Sequence, residues 1–271
     1  MSEKTTVETE YGAFIPCYDS SDYRKRYRDP IEFYESGAIR SIYLQDRTLV
    51  CTKAGVIHAE MITFYENGNI KRIFPTYGKL TAYYTEDDEY EGADIETVFV
   101  DGKDISAKMQ CVMFHPCGSV KSITIYSRDS LVFKTRYGEI KTSLGAEFTE
   151  NGNLRSLEPV FGTCLETKYG IIHPFNPYRD VMHAENASLA FNESGKIEAF
   201  STIQDKLTIR FFDRRRVTRT YEPAMVKDSI YGFYRRNPMQ VMMDGKKVSI
   251  TLKKGKTDFY DLSTAKMSIL Q

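Results

Sequence analysis

Two short stretches combine residue types that catalyse reactions or bind metals. His115 and Cys117 lie two residues apart, and a thiol beside an imidazole is the pair that cysteine-dependent hydrolases use. Such a pair is defined by its geometry in space, so closeness in sequence does not make it a catalytic dyad. Adding Cys111 gives Cys-x3-His-x-Cys, which lacks the fourth ligand and the Cys-x2-Cys spacing of a structural zinc site. We therefore expect no catalytic or zinc-binding role here.

A long polar connection, residues 174–187, marks the second stretch. Together with the residue before it, it offers four side chains for metal binding or acid–base work: His173, Asp180, His183 and Glu185. The chain has no phosphate-cradling Gly loop, no Gly-x-Ser-x-Gly and no His-Glu-x-x-His. We predict that the protein is not an enzyme and uses no metal or other cofactor. A hydrolase or metal site in residues 173–186 is kept as a weakly supported alternative.

Charge is distributed unevenly along the chain. Residues 1–205 hold 22 Lys and Arg against 31 Asp and Glu, a balance of −9, and residues 206–271 hold 15 against 6, a balance of +9. This basic end offers two interpretations: a cationic face for nucleic acid or an anionic membrane surface, or a cap that pairs with the acidic remainder. The candidate binding residues are Arg214, Arg215, Arg216, Arg219, Arg235 and Arg236.

Two further charged stretches are expected to be solvated connections. Residues 17–30 interleave Arg and Lys with Tyr, a pattern that also suits stacking on bases. The acidic run at 86–91 fails as a calcium loop that starts at Asp87, because its twelfth position is Val98 instead of a bidentate Glu. Neither stretch is predicted to form a binding site.

A repeated frame supplies the scaffold on which these side chains are placed. It reads Phe-x-x-x-Gly-x-φ, where φ is apolar, and it occurs at 33–39, 64–70, 114–120, 148–154 and 191–197. A three-residue hairpin loop explains the spacing, with Glu66-Asn67-Gly68 as the loop and Phe64 opposite Ile70, since Gly accepts the left-handed conformation that ends such a loop. The next pair outward is Glu32 with Arg40.

A second frame, Thr-x-x-Gly between β-rich segments, alternates with the first and also predicts hairpins. It occurs at 9–12, 52–55, 135–138 and 167–170. After residue 207 the frames stop. We expect a short helix within 223–236 and one more hairpin that turns at Asp244-Gly245. This end is predicted to cap the last edge of the sheet.

Composition sets the class of protein. Of 271 residues, 41% are hydrophobic and 27% charged, as in ordinary globular proteins, and 19 Tyr with 16 Phe favour strands. No window is apolar enough to span a membrane, and no signal peptide is recognisable. Five irregularly spaced Cys fit a reducing compartment, so we predict a cytoplasmic location.

The frame at 64–71, Phe-Tyr-Glu-Asn-Gly-Asn-Ile-Lys, resembles the MORN-repeat variant of bacterial proteins, although each unit here has one Gly and alternates with the Thr frame. The resemblance implies an elongated antiparallel sheet that serves as a scaffold or binding surface, and it carries over no catalytic residue. We predict an all-β fold: an antiparallel, solenoid-like meander of hairpins over 1–205, interrupted at about 81–111, and a basic β-rich cap over 206–271. The expected partner is another protein, with nucleic acid or an anionic lipid surface as the alternative.

Overall fold

A computed structural model describes most of the chain. The described part comprises residues 6–19, 21–25, 29–78, 80–178, 184, 187–212, 217–227, 232, 234–253 and 256–270. The chain divides into two compact units. Unit 1 consists of Met1–Ser130 and Glu147–Asn153, and unit 2 consists of Leu131–Ala146 and Leu154–Gln271.

Strands form nearly all of the regular structure in the described residues. The first part of the chain contains a 3-10 turn at Tyr23–Lys25, helix α1 at Glu86–Gly92 and nine strands: β1 Val7–Thr9, β2 Gly12–Phe14, β3 Ile31–Phe33, β4 Ile39–Thr52, β5 Gly55–Phe64, β6 Ile70–Phe74, β7 Ile95–Val100, β8 Lys103–Phe114 and β9 Val120–Ile125. The remainder contains β10 Leu131–Thr135, β11 Gly138–Phe148, β12 Leu154–Pro159, β13 Leu165–Thr167, β14 Gly170–Ile172, β15 Leu189–Phe191, β16 Ile197–Thr202, β17 Lys206–Phe211, β18 Thr218–Tyr221, β19 Met225–Lys227, β20 Tyr234–Arg236, β21 Met239–Asp244, β22 Lys247–Lys253, β23 Lys256–Asp261 and β24 Ala265–Leu270.

Each unit is organised as an antiparallel meander with shorter hairpins beside it. In unit 1 the strand order is β3-β4-β5-β6-β8-β9, with β7 also paired to β8 and with β1-β2 as a separate hairpin. In unit 2, strands β11, β12, β15, β16, β21, β22 and β23 pair in that order, with β10 also paired to β11. The pairs β13-β14 and β19-β20 and the three-stranded β18-β17-β24 form separate sheets. The predicted all-β antiparallel meander is confirmed, whereas its solenoid-like, elongated character and the boundary at 205 stay predictions.

The Phe-frame turns have the predicted geometry. All five glycines adopt φ between +69° and +86°, and each loop is closed by a bond from the Gly N–H to the carbonyl three residues earlier, as Gly68 bonds to Tyr65. Phe64 pairs with Ile70, as expected. The pair Glu32–Arg40 was predicted wrongly, because the register shifts at the turn and places Ser41 opposite Glu32. Their side chains still approach to 3.9 Å.

A hydrogen bond links each Phe-frame turn to the next one along the sheet. The residue after the Phe donates to the carbonyl oxygen of the following copy's Phe, from the Tyr34 hydroxyl to Phe64 and from the Tyr65 hydroxyl to Phe114, at 2.7 and 2.8 Å. In the fourth copy the residue after the Phe is Thr149, and the bond to the Phe191 carbonyl comes instead from Arg155 Nη1, at 2.8 Å. The frame therefore encodes both the turn and the spacing between turns.

The expected loop at 86–91 is instead helix α1. Thr85 caps it: the Thr85 hydroxyl accepts from the Asp88 N–H, and the Asp88 carboxylate accepts from the Thr85 N–H. This reciprocal capping satisfies donors that a short helix would otherwise leave open. The interruption at 81–111 also contains most of the hairpin β7-β8, which turns at Asp101 and Gly102, both with positive φ.

Three other expectations need correction. Residues 223–236 hold strands β19 and β20, which pair with each other, and their described part contains no helix. The predicted hairpin near Asp244-Gly245 is present, but it turns one residue later, because Asp244 pairs with Lys247. Within 17–30, the described cations face inward instead of into solvent. Lys25 is buried with its amine on the carbonyls of Leu44 and Gln45, and Arg24 pairs with Asp22 and Glu60.

Candidate functional site

The Thr-frame hairpins owe their shape to one side chain. In each copy the Thr hydroxyl donates to the carbonyl of the Gly and accepts from the N–H two residues after itself; in the fourth copy, Thr167 bonds in this way to Gly170 and Tyr169. Such a bond holds the two-residue turn from within. The other copies repeat it at Thr9, Thr52 and Thr135. The four glycines have φ between +101° and +123°.

Two of these hairpins, β10-β11 and β13-β14, are anchored to other strands of unit 2. The Tyr137 hydroxyl accepts a bond from the Ile197 N–H at 3.2 Å, and its ring stacks on Phe191. The Tyr169 carbonyl accepts from the Ile269 N–H at 2.8 Å. A Cβ on Gly170 would lie 3.0 Å from the Ile269 carbonyl oxygen, so the strand passes too close for a larger residue. These contacts fix the two hairpins on one side of strands β15, β16 and β24.

A groove of about 740 Å³ lies among these hairpins of unit 2. Its volume falls within the range of small-ligand sites. The apolar part of its lining consists of Ile172, Ile197, Phe200, Met243 and Ile269, and the polar part consists of Arg136, Tyr137, Glu166, Thr167, Lys168, Tyr169, Asn192 and Lys196. We call this feature the unit 2 groove.

The three cations of the groove form no ion pair with the carboxylates that the structure describes. Arg136, Lys168 and Lys196 are exposed, and none of them has a described carboxylate within 4.0 Å. Lys168 Nζ lies 4.7 Å from the Tyr169 ring centroid, and the Arg136 guanidinium lies 5.9 Å from that of Tyr137. A cation over an aromatic face keeps its charge available to an anion. Three cations and one carboxylate, Glu166, give the lining a positive balance.

Hydrogen-bond donors without a partner add to the cations. Among the described residues, the Tyr169 hydroxyl and the Asn192 side-chain amide nitrogen have no acceptor. The Tyr137 hydroxyl accepts from Ile197 and so keeps its own proton to donate. Such donors and fixed positive charge suit an anionic ligand, and the apolar floor suits a ligand with an apolar part.

Unit 1 contains the same anchors without the groove. The Tyr11 hydroxyl accepts a hydrogen bond from the Ile70 N–H, as the Tyr137 hydroxyl does from Ile197 in unit 2. The Ala54 carbonyl accepts from the Phe99 N–H, as the Tyr169 carbonyl does from Ile269. Its cavities at these hairpins are smaller, about 510 and 330 Å³. Ala54 supplies no aromatic ring or hydroxyl at the position of Tyr169. The scaffold is therefore repeated, while the cavities described at these hairpins of unit 1 are smaller than the unit 2 groove.

His173, a member of the alternative enzyme site, binds a buried carboxylate, and the same arrangement recurs at a second histidine. Its backbone N–H and its Nδ1 both donate to the buried carboxylate of Asp205, at 2.8 and 2.6 Å. Three residues after Gly55, His58 binds buried Glu96 in the same two ways. The remaining members, Asp180, His183 and Glu185, lie outside the described residues. Within the described part, no three His, Cys, Asp or Glu side chains gather as metal ligands.

His115 and Cys117 belong to the third Phe-frame turn. His115 Nε2 donates to the Phe148 carbonyl at 3.0 Å, the place that Tyr34 and Tyr65 fill in the first two turns. The hydroxyl of Ser119 lowers the pKa of the exposed Cys117 thiol. No imidazole is bonded to that thiol in the described structure, and none of the five cysteines forms a disulfide. The pair therefore has the geometry of a hairpin loop.

The predicted arginine site is only partly described. Arg214, Arg215 and Arg216 lie outside the described residues. Arg219, on β18, donates to the Tyr260 hydroxyl, whereas Arg236, on β20, donates to the Ile203 carbonyl, and Arg235 lies over the Tyr178 ring. Strands β18 and β20 belong to different sheets. None of the three lines the unit 2 groove, so a shared binding face for them stays a prediction.

The groove cations were missed because each resembles an ordinary solvated turn residue. A signal was present: the third and fourth Thr frames read Thr-Arg-Tyr-Gly and Thr-Lys-Tyr-Gly, a cation followed by Tyr, whereas the first two read Thr-Glu-Tyr-Gly and Thr-Lys-Ala-Gly. Only the fold brings these two turns to one cavity with Lys196.

Comparison with known proteins adds no identity: no protein-family model, no curated protein and no solved structure matches the chain. The resemblance to the MORN-repeat variant and the cytoplasmic location stay predictions. No helix in the described part of the chain is long and apolar enough to cross a membrane.

Proposed function

We propose that this chain is a non-enzymatic binding protein whose unit 2 groove takes an acidic segment of a partner protein. The observation that carries the proposal is the set of three cations, Arg136, Lys168 and Lys196, which have no described carboxylate partner and surround an apolar floor. The scaffold made of hairpins positions the groove and takes no part in chemistry.

The energetics favour a selective, reversible interaction. Full burial of one apolar side chain on the floor contributes about 1.5–3 kcal/mol. Each exposed ion pair contributes about 0–1 kcal/mol and is screened by salt. The apolar anchor is therefore expected to supply most of the affinity, and the cations to supply selectivity for acidic partners and a faster association. The loss of freedom on binding offsets part of this gain.

A protein segment fits the lining better than a nucleic acid does. Glu166 lies in the groove and would repel a phosphate backbone, in which every unit is charged, whereas a protein segment can place an uncharged residue beside it. The floor consists mainly of Ile and Met side chains with Phe200, whereas single-stranded nucleic acid is bound by exposed aromatic faces on which its bases stack. Binding of nucleic acid or anionic membrane through Arg219, Arg235 and Arg236 is the alternative that the test below distinguishes.

The proposal is tested with a short fluorescein-labelled peptide of alternating Glu and Tyr, followed by fluorescence anisotropy. The full chain is compared with a variant that carries Arg136→Glu, Lys168→Glu and Lys196→Glu. We expect this groove variant to bind at least about tenfold more weakly, a difference of about 1.4 kcal/mol. Binding to the unchanged chain should weaken as salt is raised, because the attracting charges are exposed.

The matched control changes three exposed lysines of unit 2 that do not line the groove, as Lys141→Glu, Lys227→Glu and Lys266→Glu. It alters net charge by the same amount and should leave peptide affinity within about twofold. Equal losses in both variants would show a response to net charge alone and contradict the proposal. Tighter binding of labelled DNA, RNA or anionic vesicles than of the peptide, unaffected by the groove variant, would favour the arginine alternative.

A further inference from the structure

The chain itself contains a segment with the chemistry that the unit 2 groove favours. Residues 80–92, which we call the acidic segment, include helix α1 and the turn before it. Four carboxylates of α1 are exposed: Glu86, Asp87, Asp88 and Glu91. Two large side chains before the helix also face solvent, Leu80 at 54% and Tyr83 at 88% exposure. Acidic and apolar groups are thus displayed together.

The negative charge of this segment is only partly balanced within unit 1. Arg128 pairs with Asp87 and Glu91 at 2.7 and 3.2 Å, and these are the ion pairs that α1 makes with described residues. Glu86 accepts from the neutral amide of Gln110, and Asp88 is used by the helix cap. A second cation, Lys108, lies at the helix with its Nζ 2.8 Å from the Tyr90 carbonyl oxygen. Four exposed carboxylates against Arg128 and Lys108 still leave a negative surplus at the surface.

We infer that the unit 2 groove of one molecule binds the acidic segment of a second copy of this chain. The inference rests on the proposed function and names its partner. Charge is complementary, because three cations without a carboxylate partner among the described residues meet a surplus of carboxylates. Apolar surface is complementary as well, because Tyr83 and Leu80 are exposed beside the acids and the groove has an apolar floor. Each molecule carries both halves of the contact, so the association closes as a symmetric dimer or continues head to tail.

The test is a charge exchange read by sedimentation velocity at low salt over a concentration series. The groove variant carries Arg136→Glu, Lys168→Glu and Lys196→Glu. The segment variant carries Glu86→Lys, Asp87→Lys and Glu91→Lys, which spares the cap residue Asp88. We expect the unchanged chain to associate and each variant alone to associate at least tenfold more weakly. An equimolar mixture should recover association, because each variant then meets a partner of opposite charge.

The control with Lys141→Glu, Lys227→Glu and Lys266→Glu should associate like the unchanged chain, and circular dichroism should show that all variants keep their strand content. A chain that stays monomeric at every concentration overturns the inference. So does association that the segment variant leaves unchanged, or a mixture that fails to recover it. Binding of the Glu-Tyr peptide separates the two claims: if the groove binds the peptide while the chain stays monomeric, the proposed function stands and the second copy is not its partner.

Discussion

Two glycines at the same position of the repeated frame should respond very differently to alanine. Gly37 and Gly152 both close Phe-frame turns in unit 1, with φ of +85° and +82°. A Cβ on Gly37 would meet no heavy atom within 4 Å, whereas a Cβ on Gly152 would lie 2.8 Å from the Cβ of Asp101 and 3.2 Å from its backbone nitrogen. Both substitutions place a side chain in the left-handed region, and only one also produces a steric clash.

The expected magnitudes follow from these distances. The left-handed conformation costs an alanine about 1–2 kcal/mol, and this cost is common to Gly37→Ala and Gly152→Ala. Forcing an extra carbon into a packed contact adds about 1–3 kcal/mol. Gly37→Ala should therefore lower the free energy of unfolding by about 1–2 kcal/mol, and Gly152→Ala by about 2–5 kcal/mol. The difference between them measures the close approach of Asp101.

Urea unfolding followed by circular dichroism and tyrosine fluorescence gives both values, since the chain has 19 Tyr and no Trp. A third variant, Asp101→Gly, removes the atom that the new Cβ would meet at a residue with φ of +46°. In combination with Gly152→Ala it should recover at least about 1 kcal/mol relative to the sum of the single changes. Equal losses for the two alanine variants, or no coupling with Asp101→Gly, would refute the reasoning.

Two further predictions concern side chains of unit 1. His115→Ala should lower the free energy of unfolding by about 0.5–1.5 kcal/mol, because the Phe148 carbonyl loses its donor. Cys117→Ser should change the free energy of unfolding by less than about 0.5 kcal/mol. Equal effects of the two substitutions in urea unfolding would contradict the hairpin interpretation of this pair. Burial, together with the nearby Glu60 carboxylate, raises the pKa of Glu89 above its ordinary value of 4.5. The contribution of Glu89 to the free energy of unfolding is therefore fully present below pH 4.5 and is lost as the pH rises through the raised pKa. Glu89→Gln, whose amide oxygen still accepts from Gly78, should therefore be more stable than the unchanged chain at pH 7 and not at pH 4, and a difference that is constant with pH in urea titrations would count against this.

The turns could be predicted from the sequence because their causes are local. A Gly that must adopt positive φ, and a Thr hydroxyl that bonds to residues two and three positions later, act within one short stretch. The same reasoning correctly predicted that Phe64 pairs with Ile70 across the two strands. It failed one residue further out, at Glu32, because the left-handed Gly introduces a bulge that shifts the register.

Helix α1 was missed although its cause is also local. Thr85 followed by Asp88 three residues later is a capping box with Asp in place of Glu, whereas the dense negative charge of 86–91 is also typical of a solvated loop. Burial of Lys25 and Arg24 had no signal in the sequence, since their partners Leu44, Gln45 and Glu60 are distant along the chain. In the sequence alone, a buried cation within a charged run looks the same as a solvated one.

The groove was beyond sequence reasoning for the same reason. Its cations come from two Thr frames and one Phe frame, and its floor includes Met243 and Ile269 from the basic end of the chain. Each of these residues is ordinary in its own hairpin. Their meeting depends on anchors such as Ile197 on Tyr137 and Ile269 on Tyr169, which join residues 60 and 100 positions apart.

Hydrogen–deuterium exchange of the full chain, with and without the Glu-Tyr peptide, tests the binding claim most directly. If the unit 2 groove is the site, the peptide should slow exchange in residues 135–138, 167–170 and 192–197, and leave 218–221 and 234–236 unchanged. Protection confined to 218–221 and 234–236, or absent from the three groove segments at saturating peptide, would contradict the claim that this groove is where the protein binds its partner.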